Sequence, residues 1–292
     1  MRSLLFVPAH NQRLMDSAMA VEADVLLFDI EDSVQPVENK QKARDLVVKM
    51  VSEGAFQNKV IFPRINDRES GQLLKDVTQL TIDGIEGFMY PKAKKGEDIY
   101  FFDKLLETIE YERGFPIGTF KIIPLIETAS AVLNAQDICN ASKRVVAIAY
   151  GSEDFIADLE GQHDLEHESL FVPRNMIAMA ARACKVIPID TVHVRVKDLE
   201  DLENNLILSK KLGYEGMLCL NPIELPLIHR YFSPSEQDVY EAKEILRLDK
   251  EARDNNQGVA IMNGKFVGPP FVLKANKILK KHHNIINRNK NE

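Results

Sequence analysis

Lys-Ile-Ile-Pro-Leu-Ile-Glu-Thr (121–128) and Val-Val-Ala-Ile-Ala-Tyr-Gly-Ser-Glu-Asp (145–154) are two apolar runs that pass abruptly into acid, at Glu127 and Asp154. Each is as long as a buried parallel strand, which reads as a continuous apolar run because both of its faces are covered. A carboxylate at the end of such a run is costly unless a cation waits there, most simply a divalent metal. Six further runs of the same kind lie on either side: Ser3–Pro8, Val25–Glu31, Lys59–Asn66, Gly87–Lys92, Ile187–Val194 and Gly216–Pro222. With Lys121–Glu127 and Val145–Gly151 they make eight. Between them run amphipathic segments with helical period, such as Gln41–Val51, Asp98–Glu112 and Leu199–Leu212. Eightfold strand–helix alternation predicts an α/β fold, a closed TIM (β/α)8 barrel over residues 1–232. An open doubly wound sheet is the alternative, but no G-x-G-x-x-G follows the first strand.

Residues 233–292 read as a separate helix–hairpin–helix extension. Ser233-Pro234-Ser235-Glu236 looks like a capping box with Pro at the first helical position, opening a helix that runs to about Asn255. Val259–Met262, Asn263-Gly264 and Lys265–Val267 form a hairpin signature, and a last helix follows Pro269-Pro270. An arm of this kind is expected to serve as a lid or an oligomer contact. The longest interior connection, from Ser152 to about Pro173, contains the acid- and His-rich stretch Glu160–Glu168. It lacks regular ligand spacing, so a solvated flap is the expected role.

The length of 292 residues suits one barrel of about 250 residues plus an arm. A net charge of −7 argues against nucleic acid as a partner, because a phosphate backbone demands clustered Lys and Arg. The basic C-terminal tail (Lys274, Lys277, Lys280, Lys281, Arg288, Lys290) reads as a solvated helix end. No apolar run approaches the roughly 20 residues that span a membrane, and Met1–Pro8 looks like a first strand rather than a signal. Cys139, Cys184 and Cys219 lie in apolar surroundings without C-x-x-C spacing, as buried thiols of a reducing, cytoplasmic compartment would.

In such a barrel the C-terminal strand ends converge on one face, where active sites are built. The ends here carry Asp29, Glu31 and Asp32; Arg64 and Asn66; Lys92; Glu127; Glu153 and Asp154; Asp190 and His193; and Asn221. Oxygen ligands predominate, which favours Mg2+, or Mn2+, over zinc. Mg2+ needs only one or two protein carboxylates, and Glu127 and Asp154 suit that role. Arg64 suits a bidentate grip on a substrate carboxylate, the competing reading being a buried salt bridge to Asp29 or Glu31. A strand-end lysine can form a Schiff base, but Lys92 among so many carboxylates is expected to stay protonated. Asp29, Glu31, Asp32, Lys92 and Asn221 are then supporting positions around the metal.

The same residues carry a resemblance. Arg2-Ser3-Leu4-Leu5-Phe6-Val7-Pro8, Phe28-Asp29-Ile30-Glu31-Asp32-Ser33-Val34, Lys40 with Ala43-Arg44, Arg64-Ile65-Asn66, Pro91-Lys92, Ile126-Glu127-Thr128, Gly151-Ser152-Glu153-Asp154, Arg174-Asn175 and Ser233-Pro234 occur in order. The series resembles the citrate lyase beta-subunit family of the HpcH/HpaI aldolase class, which includes malyl-CoA and citramalyl-CoA lyases. That resemblance implies a Mg2+-dependent carbon–carbon lyase acting on a 3-hydroxy-3-carboxy acyl thioester, carried on CoA or an acyl-carrier protein. It implies that Glu127 and Asp154 hold Mg2+ and that Arg64 grips the substrate carboxylate and stabilises the alkoxide. It further implies that backbone N–H groups at Glu153 and Asp154 steady the oxoacid, and that the chain forms a homo-oligomer, a trimer or hexamer. The family pattern places an Asp in the C-terminal hairpin, where it exchanges the proton on the thioester α-carbon. Here the stretch reads Asn263-Gly264-Lys265-Phe266-Val267-Gly268-Pro269-Pro270, with Gly268 in that place and no acid nearby. Two other readings stand beside the lyase: a metal-dependent aldolase acting on free hydroxy-oxoacids without CoA, and a non-catalytic barrel that binds an oxoacid or thioester.

Overall fold

The computed structural model describes residues 1–162, 168–255, 260–262 and 264–291. Seven strands form one parallel sheet: β1 (Ser3–Pro8), β2 (Val25–Asp29), β3 (Gly87–Tyr90), β4 (Lys121–Ile126), β5 (Ala147–Tyr150), β6 (Ile187–Asp190) and β7 (Gly216–Cys219). Their order is β2-β1-β7-β6-β5-β4-β3, so β2 and β3 are the two edges. The gap between these edges is closed by residues 60–65, the run expected as the third of eight strands. Phe62 and Arg64 donate their N–H groups to Leu26 and Phe28 of β2, while Ile65 donates to Met89 of β3, which in turn donates to Pro63. Pro63 has no N–H of its own, so this stave pairs through separate bridges at Ile61 and Arg64 instead of a regular ladder. The fold is the expected TIM (β/α)8 barrel with one irregular stave.

Other expected strands were drawn too long: β2 stops at Asp29, β3 at Tyr90, β6 at Asp190 and β7 at Cys219. The charged and polar residues that follow leave the ladder to make turns, which puts most of the expected site residues in loops just above the sheet. Every stave contributes to the barrel interior: Leu4, Val25, Leu27, Phe62, Met89, Ile123, Leu125, Ala147, Ala149, Ile189 and Leu218 form one buried cluster. Small Ala147 and Ala149 on β5 lie among large neighbours, the kind of size alternation that fills a barrel without voids. Among the described residues no helix is long and apolar enough to cross a membrane.

The chain divides into two compact units, Met1–Ile228 and His229–Glu292, rather than after residue 232. In the second unit, helix Glu236–Asp254 begins two residues later than the capping signal suggested. Ser235 is the cap: its Oγ accepts the Asp238 N–H at 3.0 Å while Asp238 Oδ2 accepts the Ser235 N–H at 2.9 Å. Ser235 and Asp238 supply both halves of the box, so Ser233 and Pro234 stay outside the helix. The hairpin consists of antiparallel β8 (Ala260–Met262) and β9 (Lys265–Val267), with Gly264 at a φ of 76° in the turn. Gly268 opens the final helix, Pro269–Asn291, its carbonyl accepting the N–H groups of Phe271 and Val272. Val259 and Asn263 of the hairpin signature, and residues 163–167 of the acid- and His-rich flap, lie outside the described residues.

Candidate active site at the strand ends

Asp29 ends β2 and organises the turn that follows. Its Oδ1 and Oδ2 accept the N–H groups of Glu31 and Ser33, each at 3.0 Å, as an Asp at the start of a turn does. The same carboxylate takes the fork of Arg64, Nε to Oδ1 and Nη2 to Oδ2, both at 2.8 Å. Burial pushes the Asp29 carboxyl up, but Arg64 outweighs it and holds the group below the usual range. The fork expected to grip a substrate is thus occupied by Asp29. What Arg64 offers is its third nitrogen: Nη1 lies 3.2 Å from Glu31 Oε2 and 3.3 Å from Asp32 Oδ2. The guanidinium also rests on the Phe6 ring, 4.7 Å from the centroid.

Glu127 follows β4 directly and is 1% exposed. Its Oε1 accepts the backbone N–H of Lys92 at 2.6 Å. Lys92 has a φ of 54°, in the left-handed region that a lysine enters only under constraint. Its main chain therefore serves Glu127 while its ammonium turns to Glu31, Nζ to Oε1 at 2.8 Å, and to Asp67 at 3.6 Å. Burial lowers the Lys92 pKa, but Glu31 more than compensates and raises it. The amine stays protonated, which removes it as a Schiff-base nucleophile.

Burial and the charges of Glu31 and Asp154 push Glu127 up to about 8. Glu31 is also raised, to about 7, by burial working against Arg64. Gly151 makes room for Glu127: a Cβ there would stand 2.9 Å from Glu127 Cβ and 3.1 Å from its Oε2. Asp154 is exposed and lies in the first turn of helix Ser152–Asp158, not at a strand end. Glu153 beside it is exposed and accepts the Ser152 hydroxyl at 3.2 Å.

The structure therefore gathers Asp29, Glu31, Asp32, Arg64, Lys92, Glu127 and Asp154 into one charged cluster. Asn66 is set behind it: Lys40 Nζ donates to Asn66 Oδ1 at 2.5 Å and to the carbonyls of Ile30 and Glu31 at 3.0 and 2.9 Å. Asn66 leans in turn on Asp76, its side-chain amide donating to Oδ2 at 2.7 Å, and Arg44 pairs with Asp76 Oδ1 at 2.6 Å. This buried chain pins the main chain that carries Glu31. Three expected residues are engaged elsewhere. Asp190 is locked to Arg174, His193 Nε2 binds Asp201 at 2.8 Å, and Asn221 caps the short helical turn Pro222–Glu224. Asp67, Asp76 and Phe6 were not expected. Phe6 lies on β1 pointing with the interior residues, a period-two signal, whereas nothing local marks Asp76.

Among the described residues no group of three or more His, Cys, Asp or Glu is arranged around a metal position. Two carboxylates, one of them buried and held above its normal pKa, are a donor set that suits Mg2+, which keeps waters and leaves places for substrate oxygens. A cation beside Glu127 would also relieve the electrostatic penalty it carries.

Comparison with known proteins places the chain in a family. The family model described as HpcH/HpaI aldolase/citrate lyase matches residues 2–222. Citrate lyase subunit beta of Leuconostoc mesenteroides subsp. cremoris is 30% identical over 279 residues, covering 96% of this chain and 92% of that protein. Among solved structures, a citrate lyase of Burkholderia xenovorans LB400 superposes with a TM-score of 0.85 at 18% identity, covering 97% and 92% of the two chains. The Mycobacterium tuberculosis protein CitE in complex with magnesium, acetoacetate and coenzyme A superposes with a TM-score of 0.75 at 24% identity, covering 97% and 100%. These two likenesses concern the fold.

Proposed function

The chain belongs to the HpcH/HpaI aldolase/citrate lyase family, and we propose that it is a Mg2+-dependent lyase that splits a 3-hydroxy-3-carboxy acyl thioester into an oxoacid and an acetyl thioester. The observation that carries this reading is Glu127, a buried carboxylate raised to about 8 at the barrel mouth, in a cluster with Arg64. Relatives of the chain carry names and ligands of the same chemistry: citrate lyase subunit beta, and CitE with magnesium, an oxoacid and coenzyme A.

In this reading Glu127 and Asp154 would hold the Mg2+, which when bound would supply Lewis-acid polarisation of the substrate's oxygens. Arg64 is held rigid by Asp29 and directs Nη1 to the alkoxide oxygen left when the substrate hydroxyl gives up its proton to solvent, before that oxygen becomes the carbonyl of the oxoacid. A group fixed before the reaction needs no reorganisation during it, which is what the Asp29 fork and the Phe6 stack provide. Lys92 and Arg64 together offset the charge of Glu31 and Asp32 so that an anionic substrate can enter. The breaking bond leaves its electron pair on the thioester α-carbon as an enolate, which takes up a proton to give the acetyl thioester. With Gly268 opening a helix where the family pattern places an acid, that proton is taken from solvent, and the reverse step, removal of a proton from acetyl-CoA, is correspondingly slow.

Incubation with citryl-, malyl- and citramalyl-CoA, and with the corresponding free acids, with and without Mg2+, tests the proposal. Mg2+-dependent release of an oxoacid from at least one thioester is expected. Turnover of the free acids alone would favour the CoA-independent aldolase, and binding without turnover would favour the non-catalytic barrel. Glu127→Ala and Asp154→Ala are each expected to abolish Mg2+ binding by calorimetry while leaving the fold intact. Native Mg2+ affinity in either variant would refute the ligand assignment.

A further inference from the structure

Building on the assignment of Asp154 to the metal, we propose that Thr191 is a positioning residue: through Ser152 it fixes the helical turn that presents Asp154. The Asp154 side chain makes no hydrogen bond or ion pair among the described residues, so its place is set by the backbone that carries it. That backbone is helix Ser152–Asp158, seven residues long, and its cap, Gly151, brings no side-chain hydrogen bond. A helix so short does not hold its own shape in water.

What anchors its first residue is Thr191, at the end of the neighbouring strand β6. Thr191 Oγ1 accepts the Ser152 N–H at 3.1 Å and its hydroxyl donates to Ser152 Oγ at 2.7 Å. Both residues are buried, 4% and 2% exposed. Thr191 is itself held, because its N–H donates to Asp190 Oδ1 at 2.9 Å. Asp190 is in turn gripped by Arg174, Nε to Oδ1 at 3.2 Å and Nη2 to Oδ2, both residues 0% exposed. The Arg174 carbonyl accepts the Tyr214 hydroxyl at 2.9 Å. An unbroken buried path thus runs from helix Glu168–Cys184 through β6 to the turn bearing Asp154. It gives Arg174, which no part of the charged cluster touches, a place in the architecture of the site. A buried polar path of this kind resists rearrangement, because breaking a link leaves a further unpaired group in a dry interior.

Three variants test this. Thr191→Val keeps the shape but deletes the hydroxyl, Thr191→Ser keeps the hydroxyl, and Thr81→Val deletes a comparable buried hydroxyl, bonded to Val77 O at 2.6 Å, away from the cluster. Mg2+ affinity is read by calorimetry, and amide exchange over residues 152–158 is read in the metal-free protein. Thr191→Val is expected to weaken Mg2+ binding about tenfold and to speed that exchange by a similar factor. Thr191→Ser should restore both, and Thr81→Val should lower the thermal midpoint while leaving both near native. Native affinity and protection in Thr191→Val overturn the inference, as does an equal loss in Thr81→Val, which would mark the effect as general destabilisation. Mg2+ binding by the native protein with an unaffected Thr191→Val refutes this inference alone. No Mg2+ binding by the native protein refutes the metal reading and this inference with it.

Discussion

Glu127→Gln should make the metal-free protein more stable at neutral pH while destroying its activity. The carboxyl ionises at 4.5 when unperturbed and is pushed up to about 8 in the fold, first by burial and then by Glu31 and Asp154. A raised carboxyl favours the fold fully only below its unfolded pKa, and the metal-free protein loses stability as pH climbs from there to the folded value. By pH 7 about 2.5 units of that window have been crossed, which at about 1.4 kcal/mol per unit makes the native residue cost about 3 kcal/mol. At pH 5 the same arithmetic leaves less than about 1 kcal/mol. Glutamine keeps the shape and can still accept the Lys92 N–H, so the substitution isolates the charge. Urea unfolding in EDTA, at pH 5, 6 and 7, is the assay. The variant should exceed the native protein by about 3 kcal/mol at pH 7 and by little at pH 5. Saturating Mg2+ should close the gap from the native side, since the cation replaces the proton as the neutralising partner. Glu31 is coupled to Glu127, so the difference between the two proteins reports the pair rather than Glu127 alone. A gain of the same size at all three pH values, or no gain at pH 7, would refute the claim that Glu127 is an uncompensated buried charge.

Arg64→Lys keeps the positive charge but not the fork, so it cannot hold both oxygens of Asp29 and also reach Glu31. kcat/KM should fall by about a hundredfold or more with Mg2+ affinity near native, and a loss under tenfold would argue against Arg64 at the reacting oxygen. Gly151→Ala drives a methyl to within 2.9 Å of Glu127 Cβ. It should cost about 1–3 kcal/mol of stability and weaken Mg2+ binding, and unchanged calorimetry would show that Glu127 does not need that space. Gly268→Asp should accelerate deuterium exchange into the acetyl group of acetyl-CoA, followed by proton NMR, from a slow native rate. Fast exchange in the native protein would mean that another group supplies the proton.

The barrel was legible because its signal is local: each apolar run and each helical period lies within a dozen residues. Strand ends were overdrawn because Glu31, Lys92 and His193 continue an apolar or extended pattern in sequence, while in space their polar groups leave the ladder to find partners. The stave at 60–65 shows the same limit, since Pro63 removes one ladder hydrogen bond without changing the apolar pattern around it. The convergence of strand ends pointed to Arg64, Glu127 and Asp154, which the structure brings together, but the partner of the Arg64 fork was one of two open readings. The choice of Asp29 is made 35 residues away by the turn that Asp29 itself nucleates. Thr191 and Asp76 were missed outright. Threonine just past a strand and aspartate on a helix are ordinary residues there, and only the three-dimensional path that each completes sets them apart. Asp190 and His193 were over-read for the complementary reason, since a charge near a strand end can as well be locked to a neighbouring helix.

Position 92 is where two selective pressures meet. Its left-handed backbone is what delivers an N–H to Glu127, and glycine would adopt that backbone freely. Only a long cationic side chain also reaches Glu31 and Asp67. A search for thermal tolerance alone would draw glycine or asparagine to this site, whereas a search for turnover would hold lysine against the strain. The two outcomes of directed evolution at a single codon would therefore report which demand, conformational ease or charge, the barrel mouth ranks first.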